Sequence, residues 1–189
     1  MKRCDALIIG GSAGSLDVLL KVLPELNPAL SFPVIIVLHR KSGKDNMLTD
    51  LLSAKTRLHV KEIEEKEKIL STTVYIAPPN YHVLIEKDRT FSLDASEKVN
   101  FSRPSIDVVF ESAAEVYKEN LVCLLLSGAN SDGTFGLQHV KQNAGTVLVQ
   151  KPASAAVSYM PEYAMEHVET DAILTTEDMA SYINNLNTQ

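Results

Sequence analysis

Leu7-Ile8-Ile9-Gly10-Gly11-Ser12-Ala13-Gly14-Ser15 is the stretch that sets the reading of this chain. An apolar run stops at two glycines, a serine follows, and an amphipathic segment with Leu16, Leu19, Leu20 and Leu23 begins at once. That order reads as strand, tight turn, helix. Three roles suit such a turn. Gly10 to Gly14 matches G-x-S-x-G, in which a serine is held on a sharp strand-to-helix turn with its hydroxyl exposed, so Ser12 is a candidate nucleophile. A glycine-rich turn that opens a helix can also cradle a phosphate. The third role is a plain helix cap by Ser12 or Ser15. The dinucleotide spacing G-x-G-x-x-G fails, and no lysine follows the glycines as a P-loop requires.

Outward from this turn the same rhythm recurs. Residues 5–9 are a short apolar strand and 15–23 the first helix, closed by Pro24. Pro33 to Leu38 is a second continuous apolar run, ending at His39-Arg40-Lys41. Residues 45–54 read as a helix, and 57–63 alternate as a strand near a sheet edge does. Val74 to Pro78 is a strand stopped by Pro78-Pro79. Residues 82–86 and 90–94 alternate around Lys87-Asp88-Arg89, which predicts a β-hairpin. Residues 96–104 show no period. Ile106, Val109, Phe110, Ala113, Ala114 and Tyr117 mark a helix, with Ser105 as N-cap and Asp107 in its first turn. Leu121 to Leu126 is a fully apolar strand that ends in Ser127-Gly128-Ala129-Asn130-Ser131-Asp132-Gly133. A helix over 135–143, a strand over 146–150, a short helix over 160–167 and a strand over 172–174 follow. Thr175-Thr176-Glu177-Asp178 opens a last helix. Continuous apolar strands separated by helices predict a parallel sheet covered on both faces. The expectation is one doubly wound α/β domain over 1–189, mainly parallel, with an inserted antiparallel hairpin.

Composition narrows the function. The chain has 189 residues, 45% apolar and 22% charged, with a net charge of -6. That is ordinary for a globular protein and offers no cationic stripe for nucleic acid. The run Glu62, Glu64, Glu65, Glu67 reads as a solvated face. Cys4 and Cys123 lie in or beside apolar runs, as buried free thiols of a reducing compartment do. No Cys or His pair has ligand spacing, so no metal or cofactor is expected. No stretch approaches membrane-spanning length, and the cytoplasm is the expected location.

In open parallel sheets, functional groups gather beyond the carboxyl ends of the strands. Three strands here end in polar clusters, bringing Ser12, His39 and Asp132 to one sheet edge. Such a set is recognised by geometry and role rather than chain order. His59, His82, His139 and His167 lie within predicted strands or helices, whereas His39 stands just past a long apolar strand. Asp132, with Asn130 and Gly133, also suits simple turn and cap chemistry. The order Ser, His, Asp differs from the α/β-hydrolase order, so that family is set aside.

Several blocks resemble the catalytic domain of CheB-type chemotaxis receptor methylesterases. Ile9 to Gly14 looks like that family's Gly-Ala-Ser-Thr-Gly-Gly turn, and Leu38-His39 like its Gln-His segment. Tyr75-Ile76-Ala77-Pro78 with His82 resembles its Tyr-Ile-Ala-Pro…His block. Arg103-Pro104-Ser105-Ile106-Asp107-Val108-Val109-Phe110 is close to Arg-Pro-Ser-Val-Asp-Val-Leu-Phe, and Ser127 to Gly133 is similar to Thr-Gly-Met-Gly-x-Asp-Gly. Met160-Pro161 matches the Met-Pro before a late helix. The resemblance implies Ser12 as nucleophile, His39 as general base and then acid, and Asp132 as the carboxylate that orients His39. The implied substrates are γ-glutamyl methyl esters on cytoplasmic helices of chemoreceptors, releasing methanol, with deamidation of receptor glutamines beside it. Main-chain N–H groups at Ala13 and in Gly128-Ala129 are candidates for the oxyanion site. Arg40, Lys41, Lys44, Arg103 and Lys151 could draw acidic receptor helices, with Arg103 a candidate substrate contact; each singly also reads as a solvated rim. Ala13 stands where the family has Thr, Ser15 where it has Gly, Ala129 where it has Met, and Lys151-Pro152 where an acidic residue is usual. The family usually carries an N-terminal receiver domain. Met1 favours a stand-alone esterase over a fragment, which makes a separate receiver protein a candidate regulator.

Overall fold

The structure, a computed structural model, describes residues 3–39 and 47–186. The expectations for Arg40, Lys41 and Lys44, and for the first residues of a 45–54 helix, lie outside the described residues.

Apolar strands without alternation must be covered on both faces, and the chain meets that need by winding in both directions from its first strand. β1 (Ala6–Gly11) leads through α1 (Ser15–Val22) to β2 (Val34–Leu38), which lies beside it in parallel. After α2 (Met47–Ser53), β3 (His59–Glu62) and β4 (Thr73–Ile76) extend the sheet on that side. β5 (His82–Ile85) and β6 (Phe91–Asp94) form the antiparallel hairpin, separate from the main sheet. α3 (Ile106–Tyr117) then carries the chain back across to β7 (Leu121–Leu125), on the other side of β1. α4 (Thr134–Gln142), β8 (Thr146–Gln150), α5 (Tyr159–His167), β9 (Ala172–Leu174) and α6 (Thr176–Asn185) complete it. The sheet order is β3-β4-β2-β1-β7-β8-β9, every pair parallel, so the alternating strand over 59–62 is indeed the edge.

Alternate strand residues feed two cores. Leu7, Ile9, Ile36 and Leu124 pack with Val18, Leu19 and Val22 of α1, Leu52 of α2, and Met179 and Ile183 of α6. Ala6, Ile8, Ile35 and Cys123 face the other way, onto Phe110 of α3, Leu137 of α4, Met160 of α5 and Phe91 of the hairpin. Cys4 and Cys123 are free and buried, and burial pushes both thiols up, that of Cys4 to about 12. They serve as small apolar residues rather than nucleophiles.

The acidic run is engaged locally: Lys61 Nζ lies 2.6 Å from Glu67 and 3.4 Å from Glu64, and Glu65 accepts the Leu93 N–H at 2.6 Å. Among the described residues no helix is long and apolar enough to cross a membrane. β1 is the point where the winding reverses, between β2 and β7, and open α/β sheets bind ligands at such a crevice.

Candidate active site

The registers Gly11↔Leu38 and Gly10↔Leu125 put the residues just past β1, β2 and β7 side by side. The backbone continues the match beyond the strands. His39 N–H donates to Gly11 O at 3.1 Å, and Ser12 N–H donates to Ser127 O at 2.8 Å. Ser12 is half-buried between these neighbours. Gly14 ends the turn at φ 82, a left-handed conformation that glycine adopts at no steric cost.

Ser15 is the cap-type serine of this turn, but it serves more than its own helix. Its hydroxyl accepts the Ser12 N–H at 3.1 Å and donates to Ser127 O at 2.8 Å, stitching the Ser12 turn to the end of β7. From the far side, Gln150 Oε1 accepts the Ser127 N–H at 2.9 Å, and Ser127 Oγ donates to Ala13 O at 2.6 Å. Gln150 is fully buried. Nothing in its sequence surroundings distinguishes it from a strand-end polar residue.

His39 and Asp132 meet directly. Nε2 of His39 lies 2.6 Å from Asp132 Oδ2. An ionised carboxylate can only accept, so Nε2 carries the proton and Nδ1 holds the lone pair in the neutral ring. Nδ1 lies 3.4 Å from Ser102 Oγ. Among the described residues the Ser12 hydroxyl makes no hydrogen bond; Ser12 and His39 are adjacent through the backbone, not joined by their side chains. Bonds of this kind commonly tighten only when substrate is bound.

Asp132 is fully buried, and its two oxygens collect a dense set of donors. Oδ2 accepts the Ile106 N–H at 2.7 Å, and Oδ1 accepts the Ser105 hydroxyl at 2.8 Å and the Asp107 N–H at 3.1 Å. Ser105 is the N-cap residue of α3, as expected, but its own side chain makes no cap bond. Asp132 takes the free N–H groups of α3, and Ser105 donates to Asp132. Two carboxylate oxygens are stronger acceptors than one hydroxyl. Burial works against ionisation of Asp132, but the bonds from His39, Ile106 and Asp107 outweigh it and hold its carboxyl below the ordinary range. Turn-and-cap chemistry and contact with His39 are thus both present in one residue.

The other candidate residues divide. Gly128 is beside Ser12: a Cβ on it would lie 3.0 Å from Ser12 Cβ. Its N–H, however, donates to Val157 O at 3.1 Å. Ala13 and Ala129 are exposed, and their N–H groups form no bond among the described residues. Arg103 Nη1 is engaged with Ala95 O and Ser96 O, bracing the loop after the hairpin. Lys151 is exposed on the loop after β8. His82 is buried, with Nε2 donating to Glu97 O at 2.9 Å and Nδ1 accepting the Ser105 N–H at 3.2 Å, so it sets the entry to α3. Asn100 and Ser102, both near the His39–Asp132 pair, come from the aperiodic stretch 96–104, where no sequence signal marks them.

Known proteins share this frame. The family profile described as CheB methylesterase matches residues 7–183. A Leptospira interrogans relative, provisionally named protein-glutamate methylesterase/protein-glutamine glutaminase, is 46% identical over 176 residues, 93% of this chain and 91% of its own length. The Thermotoga maritima protein-glutamate methylesterase/protein-glutamine glutaminase is 34% identical over 174 residues, 89% of this chain and 50% of that protein, so the chain spans about half the length of that relative. The crystal structure of the Thermotoga maritima CheB methylesterase catalytic domain matches with a TM-score of 0.93 and 30% identity, covering 98% of this chain and 100% of that one. Strand order, the Ser12 turn and the His39–Asp132 contact thus stand on the fold of a known esterase domain, and this chain belongs to the CheB methylesterase family.

Proposed function

We propose that the chain is a protein-glutamate methylesterase and protein-glutamine glutaminase acting on the cytoplasmic helices of chemoreceptors. The observation that carries this reading is the His39–Asp132 contact at 2.6 Å, made beside Ser12 at the strand ends. Ser12 Oγ attacks the γ-carbonyl carbon of a methylated glutamate while His39 Nδ1 takes its proton. The new oxyanion faces the N–H groups of Ala13 and Ala129, at the positive end of α1. His39 returns the proton to the departing methoxide, and methanol leaves an acyl-Ser12. Water, deprotonated by the same nitrogen, releases glutamate. With glutamine in place of the ester the leaving group is ammonia.

Arg103 and Lys151 act as rim cations toward an acidic receptor surface. The domain over 1–189 works in the cytoplasm without metal or cofactor, and a separate receiver protein is its candidate regulator. The test is methanol release from methylated receptor membranes. Ser12→Ala should lower kcat on the order of 10⁶-fold, as when a nucleophile is removed from a group that acts as a unit. Near-normal release by that variant would refute the reading.

A further inference from the structure

The His39–Asp132 pair leaves one buried acid beside it unexplained. Asp107 lies in the first turn of α3 and is 5% exposed. Its Oδ1 accepts the Gly133 N–H at 2.9 Å and the Gly136 N–H at 2.7 Å, both at the start of α4. Its Oδ2 accepts from Asn100 Nδ2 at 2.7 Å, and the same amide nitrogen reaches Asp132 Oδ1 at 3.3 Å. Asp132 in turn takes the first N–H groups of α3. Each carboxylate therefore closes the helix that carries or follows the other. The helices are close at this point: a Cβ on Gly136 would lie 2.6 Å from Phe110 Cβ and 2.9 Å from Asp107 O.

We propose that Asp107 is a positioning residue for the His39–Asp132 pair. By gripping the first N–H groups of α4 it fixes the turn that presents Asp132 to His39 Nε2, and through Asn100 it ties the two carboxylates together. This rests on the reading of His39 as the base.

The arrangement has an electrostatic consequence. Two carboxyls in one dry site resist ionising together. Burial, then the charge of Asp132, push Asp107 up to about 7 against the pull of the Gly136 and Gly133 N–H groups. Asp132 carries the negative charge and Asp107 the proton until pH approaches that value. Ionisation of Asp107 places a second negative charge beside the Asp132 carboxylate. The groups that face Asp107 are Asp132 from the turn before α4, His39 through Asp132, and Tyr163 and His167 of α5 across a cavity of about 190 Å³. Among the described residues lining that cavity, His167 is the one side chain able to carry a positive charge.

The test compares wild type with Asp107→Asn and Asn100→Gly. Asp107→Asn keeps shape but removes titration and sets an amide donor against Asn100. Asn100→Gly removes only the bridge and suits the positive φ of 49 at that position. Expected for Asp107→Asn are a KM near wild type, a kcat lowered by about 10- to 100-fold, as for a misplaced reacting group, and a kcat/KM profile without the inflection near pH 7 that Asp107 ionisation gives wild type. Asn100→Gly should lower kcat in the same direction by a smaller factor. A folded Asp107→Asn with wild-type kcat and an unchanged pH profile overturns the proposal. If Asp107→Asn does not fold, wild-type kcat in Asn100→Gly overturns it. Labelling of Ser12 by a serine-directed phosphonate reads the same pair without receptor. Wild type that labels but releases no methanol defeats the substrate reading alone, and the variants' labelling rates then decide this one. Wild type that neither labels nor releases methanol overturns both.

Discussion

Asp107 and Asp132 cap each other's helices. Asp107 takes the Gly133 and Gly136 N–H groups at the start of α4, and Asp132 takes the Ile106 and Asp107 N–H groups at the start of α3. A carboxylate that contacts His39 is thereby also a structural bolt between two helices. Substitutions at Asp132 should disturb rate and stability together.

Asp132→Asn replaces two acceptors by one acceptor and one donor. His39 loses its Nε2 acceptor and can adopt the other tautomer, which removes the lone pair from Nδ1. If Ser12, His39 and Asp132 act as proposed, kcat should fall by about 10⁴-fold, the cost of the wrong tautomer in other serine hydrolases. At least one helix N–H loses its buried acceptor, at about 1–3 kcal/mol. Methanol release and urea unfolding measure the two effects separately.

Ser15→Ala removes the two bonds of the Ser15 hydroxyl, the one accepted from the Ser12 N–H and the one donated to Ser127 O. Ser127 O retains the Ser12 N–H, so no buried carbonyl is fully orphaned. The loss of stability should be about 1–2 kcal/mol, with a fall in kcat at nearly constant KM as Ser12 loosens. Ser15→Gly, the residue usual in the family, should destabilise at least as much, because it adds backbone freedom. Equal urea midpoints for wild type and Ser15→Ala would contradict this account.

Asp107 also predicts how stability varies with pH. Its folded carboxyl is raised to about 7 from an ordinary 3.8, so its contribution is complete below the ordinary value and drains away as pH rises through about 7. Asp132 is lowered, so its contribution is present above the ordinary value and lost as pH falls through the lower one. The unfolding free energy of wild type, read from urea unfolding, should therefore decline between about pH 4 and pH 7, by an amount on the order of a few kcal/mol. In Asp107→Asn that alkaline-side decline should flatten while the acid-side loss remains.

The amino-acid sequence by itself determined the winding of this chain. Unbroken apolar runs at β1, β2 and β7 can be buried only in a parallel sheet covered twice, and the glycine-serine turn after β1 can only open a helix. Those local rules also bring Ser12, His39 and Asp132 to one edge, because strand ends collect there whatever the loops do. The even alternation over 57–63 marked the edge strand, and it is the edge.

Tertiary structure alone decided what the polar residues do once they arrive. Ser105 has the spacing of an N-cap, yet Asp132, from a turn 27 residues on, takes that helix's N–H groups. Ser15 departs from the family's glycine and finds its partner 112 residues away on Ser127. Asn100 and Ser102 sit in a stretch with no period, and Gln150 looks like any strand end. Apolar periodicity is a property of neighbours along the chain, so it can be read there. A hydrogen bond between distant residues depends on direction and burial at a meeting point, and only the packing of α3 against α4 and of β1 against β7 creates those.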